Sequence, residues 1–288
     1  MNLRVVTLNL WGTEAPLERR LALAIHQLRA LAVDVVCLQE VRPLDGLGGR
    51  TTADVIADGL GMTARYAPSV NWEAGAHGKD SRAGQEGLAI LAREITDVRM
   101  LALPEPRPAD ARLLLSAHVA TAGGPIWVHT THLHYKLDDG VAREHQVVAI
   151  DAAIRELGRG NTDSPQILCG DFNATPDSDE IRFLRGLTTL AGKRTHWQDA
   201  WLRLRREPGP VDGPEEGITW SSENRLTRPL RSLDIDRRID YVFVTSRKKD
   251  GRATVHDCRV VMTEREDPDD ICASDHYGVL ADIQVVAA

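Results

Sequence analysis

Seven places in this 288-residue chain carry an acid, an amide or an imidazole where an apolar run stops or starts. Asn9 ends VVTLN and Glu40 ends VVCLQE, while Glu86 precedes GLAIL and His132 ends WVHTTH. Asp171 and Asn173 follow QILCG, Asp240 lies inside RRIDYVFV, and Asp275 and His276 open the final apolar run. Carboxylates and imidazoles move protons, and carboxylate and amide oxygens hold hard cations. At a strand end such a side chain points into the crevice above the sheet, where sites are usually built. A single Asp there is most often a turn former or helix cap, so the weight rests on the set.

The elements that position these groups are mostly strands. Apolar alternation and short Val/Ile/Leu runs predict strands over 3–10, 34–39, 87–92, 112–120, 126–133, 166–170, 238–244, 257–263 and 277–286. Helical spacing predicts helices over 17–32 and 141–157, and more weakly over 52–60 and 178–186. The last of these follows Pro176, Asp177 and Ser178, a start signal. Strands outnumber helices about two to one without regular βαβ alternation, which favours two mixed or antiparallel sheets with helices outside over a parallel doubly wound sheet. The polar, turn-rich segments 67–86, 104–110 and 205–217 read as surface loops of one domain covering 1–288.

Composition sets limits. Hydrophobic residues are 42% and charged residues 27%, which excludes global disorder. The net charge of −7 argues against coating nucleic acid by bulk electrostatics, although a local basic groove remains compatible with it. No apolar run approaches a bilayer span, no signal peptide is evident at Met1 to Gly12, and membrane insertion is not expected. Cys37, Cys169, Cys258 and Cys272 form no CxxC pair, and the first and second lie in apolar strand-like runs. They are expected to be reduced and the protein cytoplasmic.

In order along the chain stand TLNLWG, DVVCLQEV, QEGLAIL, TTHL, GDFNATPDS, RIDYVFV and SDH. This series, spanning residues 3 to 285, resembles the endonuclease/exonuclease/phosphatase superfamily, which includes deoxyribonucleases, abasic-site endonucleases, sphingomyelinases and inositol-polyphosphate phosphatases. The resemblance implies a four-layer α/β sandwich, with two mixed, mostly antiparallel β-sheets packed face to face and helices outside. It implies a metal-dependent phosphoesterase, most simply a phosphodiesterase attacked in line by water. The alternatives are a phosphomonoesterase and a catalytically inactive binding module. Position by position, the resemblance makes Glu40 the principal metal ligand, with Asn9 beside it and Asp275 holding the metal or its water. Asp171 would orient or deprotonate the attacking water and Asn173 hold a phosphoryl oxygen. Asp240 would orient His276, and Glu86 would pair with His132. The oxygen-rich set points to Mg²⁺ or Mn²⁺. The implied partner is a phosphoester, with nucleic acid included, acted on by a monomer, and the loops 67–86, 104–110, 205–217 and 263–274 would set specificity.

Other residues admit two readings each. His134 either contacts substrate or simply ends a strand, and His129 faces the other way. Arg143 and Gln146 share a helix face. Trp11 either floors the pocket or packs. His196, Trp197 and Trp201 form a substrate wall or a small core, with Asp199 among them unassigned. The basic runs 225–238 and 247–252 are solvated faces or phosphate contacts.

Overall fold

A computed structural model describes residues 2–46, 48–73, 84–104, 110–160, 164–204, 217–227 and 236–287. Two six-stranded sheets dominate. The first has strand order β11-β12-β1-β2-β4-β3, from β1 (Asn2–Asn9), β2 (Val35–Val41), β3 (Thr63–Trp72), β4 (Gly84–Ala92), β11 (Val255–Val261) and β12 (Gly278–Gln284). The second has order β5-β6-β7-β8-β10-β9, from β5 (Ile95–Ala102), β6 (Leu113–Val119), β7 (Ile126–His132), β8 (Ile167–Asp171), β9 (Gln198–Asp199) and β10 (Asp240–Val244). Each sheet has one parallel pair at its centre, β1 with β2 and β7 with β8, and its other pairings are antiparallel.

Alternation along the strands builds the layers. Val5, Val35, Cys37 and Ile90 of the first sheet meet Leu115, Val128, Ile167, Cys169 and Val242 of the second in one core. Their neighbours Val6, Val36, Leu38 and Leu91 face outward onto helices α1 (Leu17–Ala30) and α2 (Thr52–Leu60). On the far side, Leu168 and Phe243 lie under α3 (Gly140–Leu157) and α4 (Asp179–Leu184). A short α5 (Ala200–Leu204) carries Trp201 into the inter-sheet core. Strands covered on both faces read as continuous apolar runs, which is why the central strands were legible. The result is the four-layer sandwich that the family resemblance implies.

Three strands escape the sequence pattern, β3, β5 and the two-residue β9. β3 and β5 are edge strands with largely exposed or half-exposed residues, so their sequences TARYAPSVNW and ITDVRMLA show no clean alternation. Pro68 is tolerated because it falls at the register shift between Pro68 and Val70. The segment 67–86 is therefore not one loop: its first part is β3 and its last part opens β4, while 74–83 lies outside the described residues. The same holds for 105–109 and for 205–216, within the two other expected loops.

All four cysteines are buried and unpaired. Burial, and then contact with Cys169 across the inter-sheet core, hold the Cys37 thiol well above its usual range. The native protein should therefore yield almost no thiol to Ellman's reagent over minutes, and all four after guanidinium is added. Rapid reaction of a thiol in the native state would contradict this core.

Candidate functional site

Parallel strands end at the same edge of a sheet, and antiparallel neighbours begin there. Asn9 and Glu40 close β1 and β2, Glu86 lies near the start of β4, and Asp275 and His276 precede β12. In the second sheet His132 and Asp171 close β7 and β8 as direct partners, and Asp240 opens β10 opposite Asp171. The two edges are stitched together. Asn9 Nδ2 donates to Glu40 Oε1 and to Asp171 Oδ2, both at 3.0 Å, and its Oδ1 accepts from the Trp11 amide. Just below, Gln39 Nε2 reaches Thr130 Oγ1 of the second sheet at 2.9 Å. All nine residues singled out in the sequence thus lie at one end of the sandwich.

Backbone irregularities aim two of the key side chains. The β2–β4 register slips between Leu38 and Val41, and Glu40 within that bulge has φ +52°. A bulge redirects a side chain that regular pleating would send elsewhere. Asn173 also lies in the left-handed region, at φ +49°, with its amide donating to Asp171 Oδ1 and its Nδ2 to the Leu133 carbonyl. Strained conformations of non-glycine residues cluster at functional sites. Gly170, before Asp171, is required on steric grounds, because at φ +145° a Cβ would sit 2.0 Å from the Thr131 carbonyl oxygen.

Two groups of donors result. Oxygens of Glu40 and Glu86 and a nitrogen of His132 lie within 4.8 Å of one another, as do atoms of Asp171, Asp240 and His276. In the second group Asp240 Oδ2 holds His276 Nδ1 at 2.9 Å, leaving Nε2 directed to Asp171 at 3.8 Å. That is the geometry expected of a carboxylate that fixes an imidazole. In the first group, Glu86 receives Arg42 Nε and Nη2 at 3.2 and 3.0 Å, while His132 Nε2 stands 3.5 Å from Asp171 Oδ2. Glu86 and His132 are thus neighbours, but the hydrogen bonds that fix Glu86 come from Arg42. Asn9 bridges the two groups, and Asp275 faces Ser274 Oγ at 3.2 Å and the charge of Arg20.

The electrostatics follow from this crowding. Burial, then the charges of Glu86 and Asp275, push Glu40 up to about 8. Burial, then Asp240, push Asp171 up to about 6, and burial raises Asp275. Burial draws the His276 imidazole down, but Asp240, Asp275 and Asp171 together carry it well above its usual value. Carboxylates held this close in a poorly solvated crevice favour a bound hard cation, and their donor set of carboxylate and amide oxygens with one imidazole fits such an ion.

Several residues had no signal strong enough in the sequence. Arg20 is fully buried on the apolar stripe of α1 and donates to the carbonyls of Leu10, Trp11, Glu14 and Ala273; an arginine in that stripe was the only clue. Arg42 lies two residues beyond Glu40. Thr219 Oγ1 receives the amides of Ile239 and Asp240, and Asn224 Nδ2 fastens the carbonyls of Ser274 and Asp275. Of the residues with two readings, His134 is buried beneath the site and bonded to Asp110. His129 packs in the sheet, bonded to Ser116 and Gln166, and burial lowers it to about 3. Arg143 and Gln146 are buried links to Glu180 and the His134 backbone. Trp11 lies half-buried under Arg20. Trp197 and Trp201 belong to two different core layers, and Asp199 is clasped by Arg238 at 3.1 and 2.9 Å. Arg228 and Arg231 of the first basic run lie outside the described residues.

The sequence matches the profile of the Endonuclease/Exonuclease/phosphatase family over residues 6–276. No curated protein matches it significantly. Among solved structures it is similar to zebrafish (D. rerio) TDP2 complexed with a single-strand DNA product, at TM-score 0.69 and 20% identity, covering 98% of each chain. It is also similar to the human nocturnin catalytic domain with bound sulfate, at TM-score 0.68 and 19% identity, covering 98% of this chain and 92% of that one. An endonuclease/exonuclease/phosphatase from Beutenbergia cavernae gives TM-score 0.69 and 24% identity over 99% of this chain and 72% of that one. At these identities the likeness is one of fold.

The raised carboxyls fix a pH dependence. Folded Glu40 at about 8 and Asp171 at about 6 keep protons that the unfolded chain has released by about pH 4–5. The folded state thus binds more protons, so in chelator the melting temperature should fall as pH rises from 5 to 9. Cation binding must displace those protons, so its affinity should rise with pH. Adding Mg²⁺ or Mn²⁺ should raise the melting temperature more at pH 8.5 than at pH 6. Equal or absent shifts at both pH values, measured by calorimetry, would refute a cation site at Glu40.

Proposed function

The chain belongs to the endonuclease/exonuclease/phosphatase family, and from that premise we propose that it hydrolyses a phosphodiester with a divalent cation, Mg²⁺ or Mn²⁺, held at Glu40. The observation that carries the reading is the convergence of both donor groups on the crevice spanned by Asn9. Glu40 is the main ligand, Glu86 and Asp275 flank it, and Asn9 keeps Glu40 and Asp171 in register. When bound, the cation supplies charge relief to the phosphate oxygens. Asp171 orients and deprotonates the attacking water, and its raised carboxyl matches a proton acceptor working near neutral pH. Asn173 offers its carboxamide to a phosphoryl oxygen. His276, fixed by Asp240, donates Nε2–H to the phosphate, and His132 gives a proton to the departing oxygen. All these groups come from one chain read as one domain over 1–288, so a monomer suffices.

Nucleic acid is the substrate class this reading favours, supported by the shared fold with a TDP2 solved with a single-strand DNA product. The net charge of −7 limits non-specific contact with a duplex and favours a short or single-stranded substrate. Among the described residues no helix is long and apolar enough to cross a membrane. Four buried, unpaired thiols are compatible with a cytoplasmic setting.

Hydrolysis of bis-p-nitrophenyl phosphate should vanish in EDTA and return with Mg²⁺ or Mn²⁺, and p-nitrophenyl phosphate should be the poorer substrate. The reverse preference would make the protein a phosphomonoesterase. The two histidines should separate by leaving group. His132→Ala should lose about 10²–10⁴ in kcat on an unactivated nucleic-acid diester and little on the p-nitrophenyl diester, whose leaving group needs no proton. His276→Ala should be crippled on both. Equal losses for His132→Ala on both substrates would remove it as the leaving-group acid.

A further inference from the structure

At the opposite end of the second sheet lies a cavity of about 480 Å³ that plays no part in the site above. Its walls come from three stretches distant in sequence: the end of α4, the segment through β9 and α5, and the turn after β10. Val244, on the near side of that turn, is four strand residues from Asp240, or roughly 13 Å along β10. The cavity therefore opens away from the catalytic crevice.

Its chemistry runs against the composition of the chain. The protein carries a net charge of −7, yet Arg185, Arg203 and Arg247 converge here from the three separate stretches. Among the described residues neither Arg203 nor Arg247 has an ion-pair partner, and both are exposed. Among the described residues that line it the one carboxylate, Asp199, is neutralised by the two bonds from buried Arg238. His196 is tied to Ser246 at 3.1 Å, which sets its ring at the rim. The exposed charges of Arg203 and Arg247 attract an anion, and guanidinium groups match phosphate oxygens in pairs. The remaining wall is apolar. Leu202 and the exposed Leu187 form this surface, and beneath them the buried Trp197 is held by its Nε1 bond to Asp151 at 3.1 Å.

From this arrangement we propose that the cavity is a second, non-catalytic site for a nucleoside monophosphate, with the phosphate on Arg203 and Arg247 and the base against Leu187 and Leu202. The volume is within the range of small-molecule sites. The wall supplies one cationic and one apolar half, which an inorganic anion would use only in part. The assignment is independent of the proposed phosphodiesterase activity, since no residue is shared between the two sites.

The test is calorimetric titration of the full chain in EDTA with AMP, inorganic phosphate and adenosine in turn. EDTA leaves the carboxylates at the catalytic end without a cation, so they repel phosphate. AMP should bind saturably, phosphate more weakly and adenosine not measurably. Arg203→Ala/Arg247→Ala should weaken AMP at least about tenfold, the loss of charge-assisted bonds. The same variant should hydrolyse bis-p-nitrophenyl phosphate at the wild-type rate with Mg²⁺, and Asp171→Asn should keep AMP binding. Undiminished AMP binding in the double variant, or no binding by the wild type, would overturn the site. Phosphate binding as tightly as AMP would overturn the nucleotide and leave an inorganic-anion site in its place. Because both arginines are exposed, their removal should leave the melting temperature unchanged.

Discussion

The structure turns on a concentration of negative charge away from water. Glu40, Glu86, Asp171, Asp240 and Asp275 crowd one end of the sandwich, mostly buried. Ionised carboxylates at such distances repel one another strongly in a medium less polar than water. The protein meets part of this cost with fixed cations: Arg42 against Glu86, Arg20 near Asp275, and His276 against Asp240. The rest is left to protons or, in the function proposed above, to a divalent cation.

Holding the groups there without collapse falls to the sheets. Each central parallel pair delivers two strand ends to the same edge, and antiparallel neighbours return through it. The inter-sheet core fixes the spacing, because Val5, Cys37, Val128 and Cys169 leave no room for sliding. Asn9 hydrogen-bonds acids of both sheets, Glu40 and Asp171, and His276 bonds Asp240 across the same seam. The role of Asn9 follows from an amide that can donate twice while its oxygen is satisfied by the Trp11 backbone.

The central architecture was readable in the sequence for a physical reason. Strands buried on both faces must be apolar throughout, so a polar residue at their end stands out, as at Glu40, Asp171 and Asp240. Edge strands are free of that requirement, and β3 and β5 carry Arg65, Asn71, Asp97 and Arg99 with no alternation to read. The bulge that turns Glu40 inward depends on pairing with β4 and has no local signature. The partners of the acids were equally hidden. Arg20 sits where helical periodicity calls for an apolar residue, and Glu86 belongs to Arg42 through space, not through any spacing a motif displays. The convergence of Arg185, Arg203 and Arg247 arises only when three distant stretches meet.

The pairing of β1 with β12 brings Asn2 opposite Gln284, at the edge away from Asn9 and His276. A polypeptide joined before β1 or after β12 would leave the body from the same side and point away from the crevice. An affinity handle, a fluorescent reporter or a partner domain could be attached at either place without lying across the substrate's path. The two attachment points are also close enough that a short peptide could join them, turning the chain into a ring whose new ends could be cut in a surface turn.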